Sequence, residues 1–264
     1  MDYGMRNRMS RIFKPGDDRT VMLAVDHGYF QGPTTGLVRP AETIAPLAPL
    51  ADTLMLTRGV LRNCVDPGLD VPVVLRVSGG TSVLKDDLSD EEITVSMRDA
   101  VRLNAAGVAM SVFVGSPHER RTIKGLADLV DEANEFGVPV LAVTAVGKDM
   151  VRDARYLGLA CRIAAEMGAS IVKTYHCQGF ESVVAGCPAP VVIAGGKKLE
   201  EKAALELTFN AIRDGARGVD MGRNIFQSDC PVGMLKAVRA IVHDGASVAQ
   251  GYEVYLSEKS KKAR

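Results

Sequence analysis

The feature that most constrains the fold is a series of eight short apolar, β-branched runs with helical or polar stretches between them. The runs are residues 21–26, 53–57, 73–77, 108–114, 140–146, 170–175, 191–194 and 218–222. Their spacing, about 25 to 35 residues in most cases, is what successive strand–helix units require. Because eight parallel strands close a barrel, the sequence predicts an α/β fold, a TIM (β/α)8 barrel.

Helical patterns fill most of the gaps between these runs. They cover residues 40–50, 90–104, 123–136, 150–167, 199–214 and 231–243. For the second helix, Ser89 is the predicted N-cap and Glu92 the acid of a capping box. The second and third helices of the eightfold pattern are its weak part. Residues 58–71, between the second and third runs, form a short segment that contains Pro67 and Gly68. An open doubly wound sheet is disfavoured, since no Gly-x-Gly-x-x-Gly follows the first run.

Length and composition agree with one barrel domain spanning residues 1–264, with an N-terminal extension at 1–20 and a charged C-terminal tail at 256–264. The 32 basic residues equal the 32 acidic ones, so a nucleic-acid surface is disfavoured. Five scattered cysteines give no disulfide framework, and neither a leader-like segment nor a membrane-spanning window stands out. We therefore expect a cytoplasmic protein.

The sixth run places one amine, Lys173, in a stretch that otherwise reads as a buried strand. Its neighbours Ile171 and Val172 are apolar and β-branched. Burial disfavours the charged form of a lysine, and a neutral amine can attack a carbonyl carbon to form an imine. The alternative is a lysine at the rim of the sheet that pairs with a carboxylate and does no chemistry.

Polar residues and glycines gather at the ends of the runs, which is the rim where barrels of this kind carry their chemistry. Asp26 and His27 end the first run, across the predicted mouth from Lys173. An acid there can move the protons of imine formation, and a histidine titrates near neutral pH. Alternatively, Asp26 is a structural ion-pair partner of Lys173, and His27 forms its hydrogen bonds with the backbone. His176 is a weaker candidate on the same rim.

Two glycine turns at the last two runs predict a phosphate site. Gly195 and Gly196 follow the seventh run, and Gly222 and Arg223 follow the eighth. Glycines let backbone N–H groups approach an oxyanion, and an arginine can add two parallel hydrogen bonds. A phosphorylated substrate is implied, unless the glycines only turn the chain. The four histidines lack metal-ligand spacing, so no metal site is predicted.

Four segments together resemble the archaeal-type class I fructose-bisphosphate aldolase family. They are MLAVDHGYFQGPTTGL (22–37), AVTAVGKDMVRD (142–153), VIAGGKKL (192–199) and VDMGRNIFQSD (219–229). The chain is most similar to the branch of this family that breaks down the phosphorylated autoinducer-2 quorum-sensing signal. The likeness extends over nearly the whole chain.

The resemblance implies that an acetyl group moves from a small phosphorylated dione to coenzyme A, giving dihydroxyacetone phosphate and acetyl-CoA. It implies a large homo-oligomer, a decamer, with no tightly bound cofactor and with coenzyme A as co-substrate. It also assigns the roles: a Schiff-base lysine, an acid/base pair and a phosphate cradle. The Schiff-base lysine is Lys173, and the acid/base pair is Asp26 and His27. The phosphate cradle consists of Gly195, Gly196, Gly222 and Arg223.

The chain departs from the aldolases of this family at two places. After strand five the aldolases carry a tyrosine with Pro-Arg-Gly, the tyrosine serving proton transfer, whereas this chain reads Ala-Val-Gly-Lys from Ala145. After strand seven they read Ser-Gly-Gly-Pro-Lys, whereas this chain reads Ala-Gly-Gly-Lys-Lys from Ala194. The alternative functions are a Schiff-base aldolase or transaldolase acting on a phosphorylated sugar, and a non-catalytic sugar-phosphate-binding protein.

Overall fold

Eight parallel strands form a closed barrel in the computed structural model, which describes residues 2–145 and 152–262. The strands are β1 Thr20–Ala24, β2 Thr53–Thr57, β3 Val73–Arg76, β4 Gly107–Val112, β5 Val140–Thr144, β6 Ile171–Tyr175, β7 Val191–Ala194 and β8 Gly218–Met221. Each strand pairs with the next in the chain, and β8 returns to β1 with Thr20 opposite Gly218. The predicted TIM barrel is confirmed.

Alternation along the strands divides the apolar residues between two layers. In β1, Met22 and Ala24 point into the barrel, whereas Val21 and Leu23 point out toward the helices. Both layers are covered, so the whole of β1 is buried. This double burial explains why the strands read as continuous apolar runs.

The helices surround the barrel. They are α1 Tyr3–Ile12, α2 Gly28–Gln31, α3 Pro40–Ile44, α4 Arg58–Cys64, α5 Met97–Arg102, α6 Glu119–Glu135, α7 Ala154–Glu166, α8 Phe180–Ala185, α9 Glu201–Arg213, α10 Arg223–Phe226, α11 Pro231–Asp244 and α12 Val248–Lys262. None of the helices in the described part of the chain is long and apolar enough to cross a membrane.

Helix α1 closes the bottom of the barrel, within the segment that the sequence suggested was an extension. Asp2 caps the helix by accepting a hydrogen bond from the amide of Met5 at 2.7 Å. At the other end, Ile12 and Phe13 are buried among the inward-facing residues of the strands. The end of this helix therefore supplies part of the core.

The helix predicted at residues 90–104 is wrong in its first half. Glu92–Ile93 pairs antiparallel with Ser78–Gly79, and α5 begins only after its true N-cap, Ser96. Glu91 is buried and accepts hydrogen bonds from Tyr29 and Ser78, which holds this segment extended over the barrel mouth. These tertiary contacts override the local capping signal.

The other helix predictions differ from the structure mainly at their ends. Residues 40–50 form two pieces, α3 and a 3₁₀ turn at Ala48–Leu50, because Pro46 has no N–H group to continue the first helix. The predicted charged tail is helical through Lys262, as the end of α12. The predicted end of the fifth strand at residue 146 and the predicted helix start at residue 150 lie outside the described residues.

Candidate active site

A cavity of about 830 Å³ opens at the C-terminal ends of the strands. This is the face where a barrel of parallel strands carries its βα loops. All seven residues that the sequence predicted for the site line this cavity: Lys173, Asp26, His27, Gly195, Gly196, Gly222 and Arg223. The folded chain thus brings together groups that are nearly 200 positions apart in the sequence.

Lys173 lies inside the barrel because of its place in β6. It is two residues after Ile171, whose side chain points inward, and so it points inward as well. The residue is only 8% exposed, and its Nζ lies 2.9 Å from Oδ2 of Asp220 and 4.0 Å from Sδ of Met55. The amine therefore faces the cavity from a nearly closed setting with one carboxylate beside it.

Asp26 follows β1 and is buried against a cation. Its Oδ2 accepts a hydrogen bond from Nε of Arg76 at 3.0 Å. Burial alone would raise the pKa of Asp26, but the charges of Arg76 and Lys173 outweigh it and hold that pKa below its ordinary value. Asp26 is thus an ionised carboxylate in the resting site.

His27 is held uncharged beside Asp26. Its Nδ1 lies 3.7 Å from Oδ1 of Asp26, and its ring meets the ring of Phe226 edge-on at 5.5 Å between centroids. Burial lowers the pKa of His27 to about 4, and the nearby cations Lys173 and Arg223 act in the same direction. The imidazole is therefore neutral at pH 7, which differs from the titration near neutral pH expected from the sequence.

Two charged residues of the site, Asp220 and Arg76, were missed in the sequence. Asp220 is the third residue of β8 and is 1% exposed; Arg76 ends β3 and is 5% exposed. Each interrupts an apolar run at a position that points inward, which is the same signal that singled out Lys173. A charged residue at an inward-pointing position was thus visible in the third run and in the eighth run of the sequence.

Arg76 belongs to a hydrogen-bond network that supports Asp26 from the opposite side. It donates to Oγ of Ser111 at 2.8 Å, and its guanidinium lies 5.0 Å from the ring centroid of Tyr29. Glu91 accepts hydrogen bonds of 2.7 Å from the hydroxyls of Tyr29 and Ser78. No local pattern in the sequence marks Glu91, because its partners come from other parts of the chain.

The two glycine turns are joined by Asn224. Its side-chain amide donates to the carbonyl of Gly195 at 2.7 Å, and its Oδ1 accepts from the amide of Leu199 at 2.7 Å. Gly196 has a φ of 68°, which favours glycine. A Cβ at Gly222 would clash with the carbonyl oxygen of Ala24 and with the His27 ring. Both turns therefore need glycine for a structural reason.

Arg223 supplies a free cation at this rim. It begins α10, lines the cavity, and has a buried Nε with no hydrogen-bond partner among the described residues. A buried donor left unpaired is unfavourable, so a ligand that accepts from it would be stabilised. Lys197 lines the same side of the cavity. This edge suits an anion.

The remaining histidines lie away from the cavity. His176 pairs with Asp214 at 2.9 Å, and His243 contacts Asp17 and Asp52 at 2.7 Å each. His118 lies within 4 Å of Asp87 and Asp90, outside the cavity lining. Among the residues that the structure describes, no three His, Cys, Asp or Glu side chains cluster as metal ligands do.

The Val-Gly-Lys segment after Ala145, one of the two places where the sequence departs from the aldolases, lies outside the described residues.

Comparison of the sequence with known proteins finds a matching family model and relatives of high identity. Residues 20–228 match the model of the family described as DeoC/LacD family aldolase. A protein of Photorhabdus laumondii is 59% identical over 260 residues, covering 98% of this chain and 89% of its own. One of Escherichia coli K12 is 60% identical over 260 residues with the same coverage. Both are named 3-hydroxy-5-phosphonooxypentane-2,4-dione thiolase.

Solved structures with the same fold include Schiff-base aldolases. An archaeal fructose 1,6-bisphosphate aldolase superposes with a TM-score of 0.83 at 25% identity, covering 91% of this chain and 100% of its own. A second structure of an archaeal fructose-1,6-bisphosphate aldolase superposes with a TM-score of 0.81 at 26% identity, covering 90% of this chain and 99% of its own. That structure holds the catalytic lysine covalently bound to the carbinolamine intermediate of the substrate.

Proposed function

The chain belongs to the DeoC/LacD family of aldolases, and we propose that it transfers the acetyl group of 3-hydroxy-5-phosphonooxypentane-2,4-dione to coenzyme A. The products are dihydroxyacetone phosphate and acetyl-CoA, and the reaction removes a breakdown product of phosphorylated autoinducer-2. One observation carries the proposal: a nearly buried amine, Lys173, faces the same cavity as two glycine turns and Arg223, whose Nε has no hydrogen-bond partner among the described residues.

The phosphate of the substrate fixes which carbonyl reaches the amine. Backbone N–H groups at Gly196 and Gly222 and the guanidinium of Arg223 would hold the phosphate at one edge of the cavity. The carbonyl at C4 is one carbon away from the phosphate-bearing carbon, so anchoring the phosphate presents C4 to Lys173. Binding energy from the phosphate thus orients the reacting carbon.

Imine formation at C4 makes the carbon–carbon bond breakable. The amine of Lys173 attacks C4 and water leaves, giving a protonated imine that withdraws electrons from C3. When the thiolate of coenzyme A attacks C2, the C2–C3 bond can break. Its electron pair moves to C3 and is held as an enamine. Protonation of C3 and hydrolysis of the imine release dihydroxyacetone phosphate and restore Lys173.

The neighbouring side chains have distinct tasks in this scheme. Asp26 is ionised and fixed by Arg76, so it accepts hydrogen bonds and stabilises positive charge on the imine nitrogen. His27 is neutral, so its ring nitrogens can hydrogen-bond the substrate hydroxyl without adding a charge to the site. We assign Asp26 to electrostatic stabilisation of the imine at C4, and His27 to hydrogen bonding and proton transfer around C3.

The proposal is tested by an assay for acetyl-CoA formed from the phosphorylated dione and coenzyme A. We expect equal amounts of acetyl-CoA and dihydroxyacetone phosphate, with no acetyl-CoA when coenzyme A is omitted. Fructose 1,6-bisphosphate serves as the comparison substrate for the aldolase alternative. Triose release from that sugar, without acetyl-CoA from the dione, would assign the chain to the aldolases instead.

We propose further that the protein works in the cytoplasm as a homo-oligomer and needs no tightly bound cofactor. All five cysteines are free, which agrees with a reducing compartment. Large apolar side chains that a monomer would leave in water, such as Leu84 at 94% and Val38 at 67% exposure, agree with contacts between copies.

A further inference from the structure

We propose that the carboxyl group of Asp220 is the acid–base catalyst of imine chemistry at Lys173, first taking a proton from the ammonium and then giving one to the departing water. The inference rests on the proposed use of Lys173 as the imine-forming amine. It assigns a role to a side chain that the reaction scheme above leaves unused.

The position of Asp220 is right for this task. Both side chains point into the barrel, from β8 and β6, and Oδ2 of Asp220 lies 2.9 Å from Nζ of Lys173. Asp220 is 1% exposed, and it also lines the cavity that would hold the substrate. A proton can therefore pass directly between the carboxyl group and the atom that reacts.

Asp220 is not coordinated like a structural carboxylate. Both of its oxygens are buried, and Lys173 is its only polar contact among the described residues. By contrast, Asp52, which is also buried in this barrel, contacts Val21, Arg239 and His243 at 2.7 Å each. Buried carboxylates usually have several donors. The single contact leaves Asp220 free to change its protonation state.

The two acids beside the lysine differ in the way that paired catalytic carboxyls do. Asp26 is bonded to Arg76, and its pKa lies below the ordinary value. Burial raises the pKa of Asp220 above its ordinary value, although Lys173 opposes the change. When the surroundings of two carboxyl groups shift their pKa values in opposite directions, the group with the raised pKa can act as an acid while the other stays charged. Asp220 is the group suited to carry the proton.

The protons balance through the whole step. The Lys173 ammonium gives a proton to the Asp220 carboxylate, and the resulting amine attacks C4, so that a C–N bond forms and the carbonyl oxygen takes a proton from nitrogen. The carbinolamine C–O bond then breaks as Asp220 returns its proton to the leaving hydroxyl. Water departs and the nitrogen lone pair forms the C=N bond. Asp220 is again a carboxylate and now faces a cationic imine.

The test measures imine formation directly, with dihydroxyacetone phosphate as the ketone and borohydride as the trap. Asp220→Asn keeps the size of the side chain but cannot exchange this proton. We expect its trapping rate to fall by about 10²- to 10⁴-fold, the usual contribution of a general acid–base, while the affinity for dihydroxyacetone phosphate stays within a few-fold. Thermal unfolding checks that the variant is folded.

A second variant separates catalysis from structure. In Asp220→Ala the space left beside Lys173 is continuous with the cavity, so formate can enter it and carry the proton. We expect trapping by this variant to rise with formate concentration, and wild-type trapping to stay unchanged.

The outcomes distinguish this inference from the proposed function. If the wild-type protein gives no adduct, the imine scheme fails and the inference fails with it. If wild type forms the adduct but Asp220→Asn forms it equally fast, or formate does not rescue Asp220→Ala, only the role of Asp220 is overturned.

Discussion

For single residues, the site depends on the amine of Lys173, whose one charged contact among the described residues is the buried acid Asp220. We expect Lys173→Ala to abolish acetyl transfer, because it removes the nearly buried amine that forms the imine in the proposed scheme. The fold should remain intact, since the raised pKa of Asp220 lets that acid take up a proton once its cation is gone. Peptide mapping after borohydride trapping checks the site: an adduct on a lysine other than Lys173 would contradict the assignment.

Arg223 is expected to act by binding the substrate and not by chemistry. Removing one charged contact to a phosphate weakens binding by about 1.5 to 3 kcal/mol, so Arg223→Ala should raise KM roughly 10- to 100-fold with a smaller effect on kcat. Steady-state kinetics with the phosphorylated dione measures both values.

A matched control for Arg223 lies at the other end of the same strand. Arg217 precedes β8 at the bottom of the barrel and pairs with Asp18. Arg217→Ala should leave KM unchanged. An equal rise in both variants would place the phosphate elsewhere.

At the scale of elements, the turn between β8 and α10 has no room for a side chain. We expect Gly222→Ala to destabilise the protein by about 1 to 3 kcal/mol and to reduce kcat, because the added methyl group must displace the Ala24 carbonyl or the His27 ring. Gly59→Ala is the control, since a Cβ there has nothing within 4 Å. Chemical denaturation and kinetics measure the two effects. Equal stability in both variants would argue against the close packing at Gly222.

Helix α1 is expected to stabilise the fold through Ile12 near its C-terminal end. Ile12 is fully buried against the inward-facing residues at the bottom of the barrel, so Ile12→Ala should cost about 2 to 5 kcal/mol of unfolding free energy. Tyr3 on the same helix is 83% exposed, and Tyr3→Ala should change stability by no more than about 0.5 kcal/mol. If both variants unfold at the wild-type denaturant concentration, α1 is not part of the core.

At the scale of the whole molecule, we expect ten chains to assemble. Exposed apolar side chains such as Leu84, Val83 and Val38 favour burial between copies. Sedimentation velocity should give a single species with the mass of a decamer of 28.2 kDa chains. A species with the mass of one chain would rule out a stable assembly, and another multiple would correct its size.

Most of the barrel could be predicted from sequence because its signals are local. An apolar β-branched run is visible within five residues, and each predicted run coincides with an observed strand to within about two residues where the structure describes it. The error at residues 90–96 has a different origin. There, Glu91 is bonded to Tyr29 and Ser78, and no capping pattern carries information about such distant partners.

Three features follow from the order of residues alone: the strand–helix alternation, the apolar layers of the strands, and a lone lysine in a run that had to be buried. Which groups contact that lysine depends on how the chain folds. Asp26 and Arg76 are 50 positions apart, and Lys173 and Asp220 are 47 positions apart, yet each pair is in contact. Barrel closure explains the difference, because alternation along a strand fixes which side chains point inward, but the closed ring of strands sets which of them become neighbours.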